Sequence, residues 1–271
     1  MKPTISLAII ARDAQKTIEK CLSSVQGAVD EIIIVDTGSL DDTVQIARKY
    51  TDKIFYFKWI DDFSAARNYA FSLCTGEWIL WLDADDYLVP ADVKKIQELD
   101  YSDKEIIISS YIYTHDEYGN SGSTVPRERF VKRSLNLQWQ EPIHEYLPLN
   151  GKMFISDIEV HHNKQHGTSE RNLAILEKIV QTNPCSRNIY YLGKEYFEIG
   201  RHDDAIKYLE QFVVMPGSFW EDVFQAYYRL AHCYLNKGNE QKFKENMFKS
   251  ITIEERWAEP YYFLGLFYMN K

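Results

Sequence analysis

Much is missing from these 271 residues, and each absence excludes something. No long basic run interrupts a chain of net charge −9, which argues against nucleic acid as a partner. An acidic chain that handles an anionic substrate must shield that charge locally, with a cation or a few placed Arg and Lys. No apolar stretch approaches the roughly 20 residues of a membrane helix, so no membrane span is expected. Cys21, Cys74, Cys185 and Cys233 form no C-x-x-C and no regular framework, as in a reducing compartment. The N-terminal apolar run is too short for a signal peptide and lacks a small-residue cleavage site. These features predict a cytoplasmic protein. The loop after the first strand-like run, Ala11-Arg12-Asp13-Ala14-Gln15-Lys16, holds no glycine. It therefore lacks the Gly-rich, cation-bearing grip on a triphosphate that a sugar-phosphate nucleotidyltransferase needs.

What is present alternates. Strand patterns at residues 5–10, 31–36, 53–57 and 77–82 are separated by helical spacing at 14–25, near Ile46 and Ala47, and at 64–73. Such short βα units imply a parallel sheet with helices on both faces. Ser39 with Asp42 three residues on reads as the N-cap of the second helix. Residues 105–114 and 123–132 are β-rich and flank a turn cluster at 116–122, and 152–162 reads as another strand, which predicts a mixed sheet. A helix at 169–180 ends before Asn183-Pro184. Beyond it, Tyr191-Leu192-Gly193-x-x-Tyr196, Arg229-Leu230-Ala231-x-x-Tyr234 and Phe263-Leu264-Gly265-x-x-Tyr268 share one pattern. Gly200 and Gly238 each follow their Tyr by four residues, where a turn between helices needs φ > 0. The third repeat stops after its first helix, so a solenoid face is expected to lie exposed and the chain to be a piece of a longer protein.

The densest chemistry lies at Trp81-Leu82-Asp83-Ala84-Asp85-Asp86, behind an apolar run that reads as a buried parallel strand. Ligands of open α/β sheets bind at the carboxyl ends of the strands, and Asp-x-Asp suits a hard divalent cation there. A helix cap or polar turn before Pro90 is the competing reading. Asp36 ends the neighbouring strand, either to bind a nucleoside or to brace the turn through Thr37-Gly38-Ser39. Arg67 opens a helix, and Arg129 and Lys132 lie on a late strand, each a phosphate contact or a solvated cation. Within Trp139-Gln140-Glu141-Pro142-Ile143-His144-Glu145, either Glu141 or Glu145 can serve as general base. Of His161 and His162, strand alternation lets at most one face a metal.

In this order and spacing the chain resembles family-2 inverting glycosyltransferases of the GT-A fold over roughly residues 3–165. The matching runs are Ile9-Ile10-Ala11-Arg12-Asp13, Val35-Asp36-Thr37-Gly38-Ser39-x-Asp41-Asp42-Thr43, Asp62-Phe63-Ser64-Ala65-Ala66-Arg67-Asn68 and Trp81 to Asp86. Arg129 with Lys132, Ile143-His144-Glu145 and Val160-His161-His162-Asn163 complete them. Arg12-Asp13 stands where the family often has Asn-Glu. The helical pattern resembles tetratricopeptide repeats, and the combination looks most like bacterial enzymes that modify peptides, including sublancin-type peptide S-glycosyltransferases.

The resemblance implies an α/β GT-A mixed sheet with helices on both faces at 1–167, a connecting helix at 168–185, and helical repeats at 186–271. It implies transfer of a hexose, UDP-glucose being the expected donor, to a peptide Cys or Ser. A cell-surface glycan or lipid-linked acceptor, or a non-catalytic repeat-based binding protein, are the alternatives. Ala11, Arg12, Asp36, Arg67, Asp83, Arg129 and Lys132 are then expected around the donor nucleotide. Asp85, Asp83 and His162 are expected on Mg²⁺ or Mn²⁺, with Asp83 turned to the ribose or a metal-bound water and Asp86 shaping the turn. Glu145, with His144 beside it, is the expected base. The repeats are expected to hold the acceptor or to form a homodimer.

Overall fold

The computed structural model describes residues 2–114, 122–163 and 169–269. The chain divides into two compact units, Met1–His166 and Gly167–Lys271.

The first unit is one eight-stranded sheet in the order β3-β2-β1-β4-β7-β6-β8-β5. Its strands are β1 (Ile5–Ala11), β2 (Glu31–Asp36), β3 (Ile54–Tyr56), β4 (Trp78–Asp83), β5 (Asp86–Tyr87), β6 (Ile106–Ile112), β7 (Thr124–Lys132) and β8 (Met153–His162). β1, β2, β3 and β4 pair in parallel, as the alternation with helices requires. β7 then runs antiparallel to both β4 and β6, which makes the sheet mixed. The turn at 116–122, read between β6 and β7, falls mostly outside the described residues.

Alternation along the central strands divides the core between the two faces. Ile5, Leu7 and Ile9 of β1 and Trp78, Leu80 and Leu82 of β4 bury against α1 (Ile18–Ser24) and α4 (Pro90–Glu98). Ala8, Ile79 and Trp81 point the other way, towards α3 (Phe63–Leu73) and Trp139. Glu31 joins the amino ends of these strands. Its carboxylate accepts from Ser6 Oγ, from Thr75 N at 2.8 Å and Oγ1 at 3.0 Å, and from Lys53 Nζ at 2.5 Å.

α2 (Thr43–Ala47) departs from the sequence expectation at its start. Ser39 does not cap it: its Oγ accepts from Asp13 N at 3.0 Å, and Asp41 Oδ1 instead accepts from Thr43 N at 2.9 Å. This loop is laced to the one after β1 by further bonds, Leu40 N to Asp13 Oδ1 at 2.8 Å, Ala14 N to Thr43 Oγ1 at 2.7 Å and Gln15 N to Asp41 Oδ2 at 3.0 Å. Asp13 takes φ 49° to make the pattern, a conformation Asp tolerates.

The second unit is helical, with α5 (Ser169–Thr182), α6 (Ser186–Glu198), α7 (His202–Val213), α8 (Trp220–Asn236), α9 (Glu240–Ile253) and α10 (Glu259–Met269). Gly200 and Gly238 turn the chain after α6 and α8 with φ of 76° and 71°. α6 and α7 approach closely because Gly193 faces Leu209: a Cβ there would sit 2.8 Å from Leu209 Cγ. α5 packs on α6, where Tyr196 OH donates to Glu177 at 2.6 Å. On α10, Tyr261, Tyr262, Tyr268 and Met269 are exposed. Among the described residues no helix is long and apolar enough to cross a membrane.

Candidate active site

The parity of β4 decides where its acids point. Asp83 follows Ile79 and Trp81, so it emerges on the α3 face at the carboxyl end of the strand. There it meets Arg67, whose Nη2 donates to Asp83 Oδ1 at 2.6 Å and whose Nε donates to Glu145 Oε1 at 2.7 Å. The guanidinium also lies 5.0 Å from the ring centroids of both Trp81 and Trp139, so two acids and two aromatic faces hold one cation. Burial opposes ionisation of Asp83, but Arg67 first and Arg129 next outweigh it and hold the carboxyl at about 2. Burial likewise disfavours the Arg67 cation, and Asp83 and Glu145 reverse that and raise its pKa. Arg67 is therefore an internal strut, joining the acid at the end of β4 to the acid of the 139–146 loop.

A second network lies behind the first. Asp86 is fully buried and takes Arg129 Nη1 at 3.0 Å, Asp83 N at 3.0 Å and Tyr111 OH at 2.7 Å. The Tyr111 hydroxyl also lies 2.9 Å from His162 Nδ1. With its own proton directed at Asp86, the hydroxyl accepts from Nδ1–H, and Nε2 is left as the lone-pair nitrogen of the neutral ring. Alternation turns the adjacent His161 away, stacked on Tyr87 at 5.2 Å. The hydrogen bond to Asp86 raises the His162 pKa against its burial, helped by the charge on Asp85.

Asp85 stands at the mouth of this network with 32% of its side chain exposed, its Oδ1 3.7 Å from His162 Nδ1. Burial, then the charges of Asp83 and Asp86, push its carboxyl up to about 6, with His162 opposing. Asp85, Asp86 and His162 offer ligand atoms within 4.8 Å of one another.

The other residues expected around the donor differ in their surroundings. Both oxygens of Asp36 accept from the Gly38 and Ser39 amides at 3.1–3.2 Å and the side chain is buried, so it braces its turn. Ala11 is buried and its carbonyl accepts from Thr37 N at 2.9 Å; Arg12, just past the carboxyl end of β1, has 40% of its side chain exposed and lies 3.7 Å from Asp13. Arg129 is buried on Asp86, between the rings of Trp81 at 4.0 Å and Tyr111 at 4.2 Å, and neutralises an internal acid. Lys132 pairs with Trp78, at the amino end of β4 and so at the opposite end of the strands from the crevice. Because β7 runs antiparallel to β4, its earlier residues face the crevice. Arg127, on the same strand face as Arg129, lies 5.2 Å from the Trp81 ring and acts on Asp83. Arg127, Tyr111 and the anchoring role of Asp86 were not read from the sequence; the shared parity of Arg127 and Arg129 was the available signal. His144 takes φ 53° and Glu141 φ 70° in the loop that carries Glu145.

The family described as Glycosyl transferase family 2 matches residues 6–158, more than half of the chain. The chain belongs to glycosyl transferase family 2. The tetratricopeptide repeat family matches residues 187–213 and 224–256. This family-2 chain is 30% identical over 232 residues to the SPbeta prophage-derived glycosyltransferase SunS of Bacillus subtilis (strain 168), covering 77% of the chain and 53% of SunS. It is 49% identical over 85 residues to a TPR repeat-containing protein of Synechococcus elongatus, 31% of the chain and 21% of that protein. The chain thus spans about half the length of SunS and less of the other. Among solved structures, S. aureus TarS 1-349 aligns with a TM-score of 0.49 at 15% identity, covering 94% of this chain and 92% of that one.

The first unit of this family-2 protein has the GT-A architecture, a mixed α/β sheet flanked by helices, and the second is the helical repeat region. The residues at the mouth fit a divalent cation. Asp85 is a carboxylate crowded by two further acids, and the imidazole of His162 already has its tautomer set by Tyr111. Oxygen donors with one imidazole suit Mg²⁺ or Mn²⁺. Asp83 is paired with Arg67, and the clustered ligand atoms are those of Asp85, Asp86 and His162.

Proposed function

We propose that this chain transfers a hexose from a nucleotide-diphosphate sugar to an acceptor side chain, with inversion at C1 and assisted by Mg²⁺ or Mn²⁺. The supporting observation is Asp85, raised to about 6 at the carboxyl end of β4, with His162 as its near basic neighbour and two more acids behind it. The resemblance to peptide S-glycosyltransferases supports UDP-glucose as donor and a peptide Cys or Ser as acceptor.

Asp85 and His162 would hold the cation, with Asp86 fixing His162 from behind. When bound, the cation offsets negative charge on the departing diphosphate. Arg127 and Arg12 add cationic side chains at the mouth, and Asp83, kept ionised by Arg67, accepts a hydrogen bond from a ribose hydroxyl. The acceptor heteroatom attacks C1 from the face opposite the diphosphate, and the C1–O bond breaks as the new bond forms. Glu145 takes the proton the acceptor loses, with His144 beside it in the turn.

Intact-mass spectrometry of a peptide carrying Cys and Ser tests this, with a panel of nucleotide sugars and Mn²⁺. A one-hexose increment is expected with one donor and lost with EDTA. Undiminished transfer by Asp85→Asn sinks the cation site; no increment with any donor sinks the activity.

A further inference from the structure

We propose that Asn68 is a positioning residue for Glu145, its carboxamide clamping the backbone of Trp139 and so setting the loop that carries the acid. The inference rests on the transferase reading above.

The loop at 139–146 is an unusual piece of backbone. Gln140 and Tyr146 exchange both main-chain bonds, at 2.9 and 3.1 Å, closing an isolated bridge around residues 141–145. Inside it Glu141 and His144 both take positive φ, a conformation non-glycine residues keep only when their surroundings impose it. The imposing surface is α3. Phe63 N donates to Pro142 O at 2.8 Å, and Ser64 Oγ donates to Glu141 O. Arg67 Nε holds the Glu145 carboxylate at 2.7 Å. Asn68 completes the set at the loop's entry: its Nδ2 donates to Trp139 O at 3.0 Å and its Oδ1 accepts from Trp139 N at 2.7 Å.

Ser64, Arg67 and Asn68 are spaced i, i+3 and i+4, one face of the helix, so one face templates one loop. The carboxamide offers a donor and an acceptor side by side, as a neighbouring strand would. Aspartate would turn a second acceptor on the Trp139 carbonyl, and an apolar residue would leave both backbone groups of a buried residue unmade. Neither bond of Asn68 touches the donor side, where Asp83 is set by β4 and Arg67, and Asp85 by the turn that Asn163 N closes on its carbonyl at 2.8 Å.

Asn68→Ala in the full chain should separate the two sides. Amide hydrogen exchange across 139–146 should quicken about tenfold or more, the loss of bonds that only the clamp provides, with β1 and β4 unchanged. Mn²⁺–UDP affinity by calorimetry should stay within about twofold, while kcat for transfer falls about tenfold to a hundredfold. In a Glu145→Gln background the same change should cost little more. Unchanged exchange in the loop, a loss of Mn²⁺–UDP affinity that tracks kcat, or losses that multiply in the double variant would each overturn the proposal. The exchange result decides the clamp even if the parent transfers no sugar, an outcome that would remove the transferase reading by itself.

Discussion

Replacing Arg67 by Met keeps most of the side-chain volume but removes the charge shared by Asp83 and Glu145. Arg67 is 8% exposed, and its two ion pairs are 2.6 and 2.7 Å long. Taking away one partner of a buried pair costs about 3–5 kcal/mol, because the other charge stays buried. Glu145, with 14% of its side chain exposed, bears that loss nearly in full, whereas Asp83 at 34% is partly screened by water. The low end, about 3 kcal/mol at pH 7, is therefore expected. The cost should depend on pH in a fixed direction. Arg67 holds Asp83 at about 2, below the roughly 3.9 of an unfolded Asp. Its stabilisation is thus complete above about pH 4 and lost as pH falls through 2, so parent and variant should converge on acidification. Urea unfolding read by near-UV circular dichroism suits the test, since Trp59, Trp78, Trp81 and Trp139 lie in the first unit. A gap under about 1 kcal/mol at pH 7, or one that stays constant from pH 4 to pH 2, would refute the strut.

Glu31→Gln should weaken the first unit by about 2 kcal/mol at neutral pH, the scale of charge-assisted hydrogen bonds. Burial opposes the charge on Glu31, but Lys53, Ser6 and Thr75 hold it at about 2, so the parent's advantage is full above about pH 4.5 and fades towards pH 2. Equal acid midpoints for the two proteins would count against this. In the repeats, Gly193→Ala places a Cβ 2.8 Å from Leu209 Cγ and 3.2 Å from its backbone N, and should cost about 1–3 kcal/mol. Gly265→Ala meets no heavy atom within 4 Å and should be neutral or mildly stabilising, thermal melts of the full chain measuring both variants.

Buried parallel strands were the most legible part of the chain. β2 runs from Glu31 to Asp36 as its apolar run and flanking turn residues indicate, β1 extends one residue further than expected, and β4 is displaced by one residue at both ends. Such strands are apolar on both faces, so composition alone marks them. The site was legible as a set of residues but less so as contacts. Lys132 and Arg127 are equivalent in a local pattern; only the antiparallel pairing of β7 on β4 shows which end meets the crevice. Asp36 and Ser39 have the same ambiguity, since a short polar side chain after a strand serves a ligand or a turn equally well, and both carry hydrogen bonds of the turns and loops here. Asn68 and Trp139 are 71 positions apart, beyond any local signal.

The lacing between the loops after β1 and β2 has a kinetic meaning. Its bonds run mainly from backbone amides to the short side chains of Asp13, Ser39, Asp41 and Thr43, so the rim of the crevice is stiff before anything arrives. A guest at that rim orders little chain as it binds, and encounter rather than loop closure should limit its capture. The polar density of Val35-Asp36-Thr37-Gly38-Ser39-Leu40-Asp41-Asp42-Thr43 is then the composition of a hard edge, chosen for how little it moves.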